Sequence, residues 1–113
     1  MPRQRKRWKK SNAATKAKKK KRLEAATREL KPDHFFMMVD GSTLKSLKDL
    51  LDAFETMSDD VFYYHVNEER NDFANWIRDC IGEVELAENL AKELNKDKAH
   101  IIVLKYFLNL YTD

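Results

Sequence analysis

The sequence predicts a mainly α-helical fold: a small compact domain of four to five helices, with one short strand admitted, preceded by a basic arm and a helix. Three observations lead there. Two glycines and two prolines in 113 residues are too few for a turn-rich sheet. Hydrophobic residues at 42% beside charged residues at 36% make the balance typical of amphipathic helices. Past Pro32, apolar residues also recur three and four positions apart, the period of one helix face.

Charge divides the chain into two parts, 1–31 and 32–113. Met1 to Lys31 holds 14 Lys or Arg against Glu24 and Glu29, whereas Pro32 to Asp113 holds 8 basic against 17 acidic residues. The net charge of +3 therefore conceals a cationic arm and an anionic body that suit opposite partners. The cations form two clusters, Arg3, Arg5, Lys6, Arg7, Lys9 and Lys10 around Trp8, then Lys16, Lys18, Lys19, Lys20, Lys21 and Arg22. Self-repulsion opposes folding of such a segment in isolation. Ala, Lys, Arg, Glu and Leu nevertheless dominate Ala13 to Leu30, and all are strong helix formers. An extended arm over Pro2–Ser11 and a helix from about Ala14 to Leu30 on binding a polyanion are expected, with Glu24 and Arg28 paired at i,i+4 and Lys31-Pro32 as the stop.

In the body, Phe35 to Val39 reads as a buried strand or the entry to a helix. Leu44, Leu47, Leu50, Leu51, Phe54 and Met57 then mark an amphipathic helix, with Ser42 or Thr43 as its N-cap. Ser58 followed by Asp59 and Asp60 announces a short helix through Val66. Asn71-Asp72 caps another, whose face carries Phe73, Trp76, Ile77, Cys80 and Ile81 and which Gly82 ends. Leu86, Leu90 and Leu94, with Ala87 and Ala91, form the next stripe. The last segment, Lys98 to Tyr111, is apolar on most sides, which suits either a central core helix or a docking surface.

Chemistry-bearing patterns are sparse. His65 with Asp72 could form a base and its orienting carboxylate, and Cys80 or Ser58 a nucleophile, but no glycine-rich loop or oxyanion elbow accompanies them. His34, His65 and His100 lack zinc spacing, so neither a metal nor another cofactor is expected. A hydrogen-bonded structural histidine, a buried Cys80 thiol and a core Trp76 are the simpler readings. The chain is not expected to be an enzyme. One cysteine allows no internal disulfide, no apolar run suits a membrane span, and no apolar core of a secretory signal follows the basic start, so a cytoplasmic protein without membrane contact is expected.

The stretch from Phe36 to Leu90 resembles a small family of unknown function found mainly in archaea and some bacteria. The resemblance rests on Asp40-Gly41, Leu44-Lys45-Ser46-Leu47-Lys48-Asp49-Leu50, Met57-Ser58-Asp59-Asp60-Val61-Phe62, His65-Val66-Asn67 and Leu86-Ala87. Its most specific word is Asn71-Asp72-Phe73-Ala74-Asn75-Trp76-Ile77-Arg78-Asp79. The resemblance implies a compact helical module without known activity or cofactor, and an archaeal source. The basic extension lies outside it and is similar to those of ribosomal proteins.

These features point to a non-catalytic structural RNA-binding protein of a ribonucleoprotein particle, most simply an archaeal ribosomal protein whose arm contacts rRNA. Arg3, Arg5, Lys6, Arg7, Lys9, Lys10, Lys16, Lys18, Lys19, Lys20, Lys21 and Arg22 would meet phosphates, and Trp8 would stack on an unpaired base. The acidic body would face outward or meet neighbouring basic proteins. Two alternatives stay open: a nucleoid or chromatin protein binding DNA without sequence preference, and a protein adaptor whose basic tail is a localisation address.

Overall fold

The fold, a computed structural model, describes residues 16–112; the arm and the first cluster lie outside the described residues. Helix α1 spans residues 16–27. It is followed by a 3-10 turn at Pro32–His34, strands β1 (Phe36–Met37) and β2 (Thr43–Leu44), then α2 (Leu47–Phe54) and α3 (Asp59–His65). Helix α4 (Asp72–Trp76) runs directly into a π-helical turn at Ile77–Ile81, and α5 (Val84–Ala91) and α6 (Lys96–Tyr111) complete the body. The predicted mainly helical class holds.

Several boundaries are set by local chemistry. Ser58 accepts from the Val61 amide, and Asn71 from the Ala74 amide, each satisfying a donor that the first helical turn leaves without an intrahelical partner. Gly82 ends the π turn at φ 85°, in the left-handed region open to a residue without Cβ, and its amide closes on the Ile77 carbonyl at 2.8 Å. Trp76 is buried as expected, its indole N–H donating to the His34 carbonyl at 2.8 Å.

Other boundaries differ from the sequence reading. Of the Phe35–Val39 run only Phe36–Met37 is strand, and Met37 and Val39 are exposed instead of buried; Leu44 belongs to the antiparallel partner, with Phe36 opposite Leu44 and Met37 opposite Thr43. The hairpin turns at Asp40-Gly41, where Gly41 takes φ 92° and Asp40 Oδ1 accepts from both the amide and the hydroxyl of Ser42. The cap of α2 is therefore Ser46, not Ser42 or Thr43. Its hydroxyl accepts from the Asp49 amide, while Asp49 Oδ2 accepts from the Lys45 amide at 2.8 Å, a reciprocal arrangement close to a capping box. Pro32 opens the 3-10 turn instead of merely ending α1, which already stops at residue 27.

Helix α6 touches α2, α3 and α5, which makes it the centre of the body. Ala99, Val103, Phe107 and Leu110 form its buried stripe. Leu47, Leu50 and Phe54 of α2, Phe62 of α3, Phe73 and Ile77, and Leu86 and Leu90 of α5 join it in one core. Ile101, Leu104, Leu108 and Tyr111 remain exposed on the opposite side, and Leu94, expected to extend the α5 stripe, lies past the helix end and is exposed. No helix among the described residues is long and apolar enough to cross a membrane.

Candidate nucleic-acid interface

Helix α1 carries the whole second basic cluster. Spacing divides it: Lys19, Arg22, Leu23 and Ala26 fall at i, i+3, i+4 and i+7, one helix face. That face docks on the body. Ala26 is buried in the common core, and Leu23 and Leu30 pack against it. Lys19 Nζ donates to the Thr112 carbonyl at 3.4 Å. Arg22 Nη2 donates to Glu83 Oε2 at 3.0 Å, and its guanidinium sits 5.5 Å from the centroid of the Tyr106 ring. Glu83 raises the Arg22 pKa further above its ordinary value by stabilising the charged guanidinium.

The outward side carries Lys18, Lys20 and Lys21, all exposed; Lys16, also exposed, stands one turn before Lys19, nearer the docked face. Apolar contact along the inner face thus supplies a physical reason for the helix that does not depend on a polyanion. The Glu24 and Arg28 side chains form no ion pair; their link is the Arg28 amide donating to the Glu24 carbonyl at 2.9 Å. Beyond the helix, the Leu30 amide donates to the Lys45 carbonyl at 2.8 Å and fastens the chain beside β2. Arg3, Arg5, Lys6, Arg7, Trp8, Lys9 and Lys10 lie outside the described residues.

The Asn71–Asp79 word, the most specific in the sequence, has structural duties. Asn71 caps α4 through Oδ1, while its Nδ2 donates to the Leu90 carbonyl at 3.0 Å and ties α4 to the end of α5. Phe73, Ala74, Trp76 and Ile77 are buried. Asp72 Oδ2 accepts from His65 Nδ1 at 2.9 Å, and the Val39 amide donates to His65 Nε2 at 3.1 Å. An Nε2 that accepts cannot carry a proton, so this network holds His65 as the neutral Nδ1–H tautomer. Phe36, Tyr64 and Phe73 surround the ring at centroid distances of about 5 Å. With both nitrogens engaged and the residue 4% exposed, His65 is a strut between the hairpin and α4.

Cys80 is half-buried in the π turn, where burial pushes its thiol pKa up and disfavours the thiolate. Among the described residues, no group of three or more His, Cys, Asp or Glu is placed to hold a metal ion.

No curated protein and no solved structure matches the chain. Residues 29–105, more than half of the chain, match a family of unknown function (DUF5752). The match takes in the hairpin, α2 to α5 and most of α6, and begins just after α1. The chain belongs to this family of unknown function.

Proposed function

We propose that the protein is a non-catalytic RNA-binding component of a ribonucleoprotein particle, with rRNA of an archaeal ribosome as its partner. The observation that carries this reading is the division of the second cluster between two sides of α1. The inner side is anchored by Leu23, Ala26 and Arg22, so the outer side presents Lys18, Lys20 and Lys21 away from the acidic body. Phosphates can approach those lysines without meeting the body's carboxylates. By sequence, Arg3, Arg5, Lys6, Arg7, Lys9 and Lys10 add six further cations to the chain before α1.

Binding of this kind draws most of its free energy from counterion release and carries little sequence information. Most of the acidic body is left to face outward or to meet basic neighbours. Co-sedimentation of the full chain with archaeal ribosomal subunits at moderate salt tests the reading. Retention that disappears when residues 1–22 are deleted is expected; a full chain that stays in the supernatant, or equal retention of duplex DNA and structured RNA without ribosome association, contradicts it.

A further inference from the structure

A cleft of about 450 Å³ runs between α5 and α6, with Arg22 of α1 also on its wall. Leu86 and Asn89 face it from α5, and Ile102, Tyr106 and Asn109 from α6, spacings that keep each set on one helix face. Its size falls in the range of pockets that enclose small organic ligands.

Three properties define what it can hold. The first is a convergence of polar groups without partners. The side-chain amides of Asn89 and Asn109 and the ammonium groups of Lys92 and Lys105 are exposed at the cleft mouth and make no hydrogen bond or ion pair with any described residue. The Tyr106 hydroxyl, close to Arg22 and Glu83, is the one buried side-chain polar atom among the described residues without a well-formed hydrogen bond. Unpaired groups of this kind are normally matched by solvent or by a ligand.

The second is local charge. Arg22, Lys92 and Lys105 line the cleft against the single carboxylate Glu85, on a body where acids outnumber bases about two to one. Glu83 neutralises Arg22, which leaves the two lysines as the free cations. The third is the apolar surface of Leu86 and Ile102, which suits a flat ring.

We propose that this cleft takes one unpaired nucleotide of the bound RNA, with its phosphate at Lys92 and Lys105 and its base edge against the amides of Asn89 and Asn109. The proposal deepens the RNA-binding reading and rests on it. An Asn amide offers a donor and an acceptor together, which is what a base edge requires. Glu85, an acceptor when ionised, favours the exocyclic amine of adenine, cytosine or guanine over uracil, whose one base-edge donor, N3–H, lies between two carbonyl oxygens that repel a carboxylate. The cleft thereby adds base selectivity to an interface whose lysines have none.

The test measures fluorescence anisotropy of the full chain with short single-stranded homopolymers of A, C, G and U at one salt concentration. At least one amine-bearing homopolymer is expected to bind about tenfold tighter than oligo(U), the scale of a good base-edge contact. Asn89→Ala with Asn109→Ala should abolish that preference while keeping the salt dependence, and Glu85→Gln, whose amide can donate to uracil, should narrow the gap. RNA binding with no base preference, or a preference that survives the double substitution, overturns the cleft and leaves the RNA-binding reading intact.

If the full chain binds none of the RNAs, the RNA-binding reading fails, and nucleoside 5′-monophosphates at millimolar concentration followed by NMR decide on the cleft. Amide shifts confined to residues 85–92 and 102–109 support it; shifts elsewhere or none overturn it.

Discussion

Arg22 Nη2 lies 3.0 Å from Glu83 Oε2, so a residue that belongs by sequence to a basic cluster is a fastening between α1 and the body. The pair is partly exposed, with side chains 44% and 23% accessible, and its electrostatic contribution is correspondingly small. A double-mutant cycle of Arg22→Ala and Glu83→Ala, read by thermal or denaturant unfolding, should return a coupling of about 0.2–1 kcal/mol. Arg22→Ala alone should cost more than the coupling, because its guanidinium also packs on Tyr106.

Docking of α1 depends more on Ala26, which is 1% exposed. Ala26→Glu forces a larger, charged side chain into a closely packed position, and it should cost about 1–3 kcal/mol through overpacking alone. Hydrogen exchange should localise the damage: protection lost over residues 16–28 and retained in α2 to α6. Loss of protection throughout would mean that α1 is needed for the body to fold.

The network at His65 makes a spectroscopic prediction. Nitrogen shifts of the imidazole should report a protonated Nδ1 and an unprotonated Nε2, because Nε2 accepts from the Val39 amide. Asp72→Ala strands the buried Nδ1–H and should destabilise the fold by about 1–3 kcal/mol. Asp72→Asn should cost less, since the amide oxygen can still accept.

Burial pushes the Tyr106 hydroxyl up to about 12 from an ordinary 10.0. Ultraviolet titration should therefore find one of the four tyrosines ionising late. The sign for stability follows from linkage. Between pH 10 and pH 12 the unfolded chain releases this proton and the folded chain keeps it, so stability falls as pH rises through that window. Tyr106→Phe should remove this part of the decline and leave the rest of the profile unchanged.

Much of the body is legible in the sequence because its signals are short-range. Ser58, Asn71 and Gly82 act within one turn of where they stand, and the Phe73–Trp76–Ile77 face needs only helix periodicity. Ser46 is harder to identify, because Leu44 satisfies the helical spacing of Leu47 and Leu51 yet pairs across a hairpin with Phe36. The docking of α1 is masked for a different reason. Leu23 and Ala26 are a thin apolar stripe inside a lysine run, and the charge dominates any composition window that contains them. The role of His65 depends on Val39, 26 residues away, which no local pattern connects to it. The mixed character of α6 reflects its surroundings: one stripe of a helix apolar nearly all round finds partners, and Ile101, Leu104, Leu108 and Tyr111 do not.

The central claim is that Lys18, Lys20 and Lys21 on the outer side of α1 meet phosphates and that Arg22, held by Glu83 on the docked side, does not. The direct measurement is the salt dependence of RNA affinity for the full chain, compared with Lys18→Gln, Lys20→Gln and Lys21→Gln combined. Each phosphate contact contributes a slope of about −0.7 for single strands and −0.9 for duplex, so the triple substitution should reduce the steepness by about 2 to 3. The control Arg22→Gln, on the docked side, should leave the slope nearly unchanged. A triple variant with the wild-type slope and affinity, or an Arg22→Gln variant that loses as much as the triple, would contradict the account.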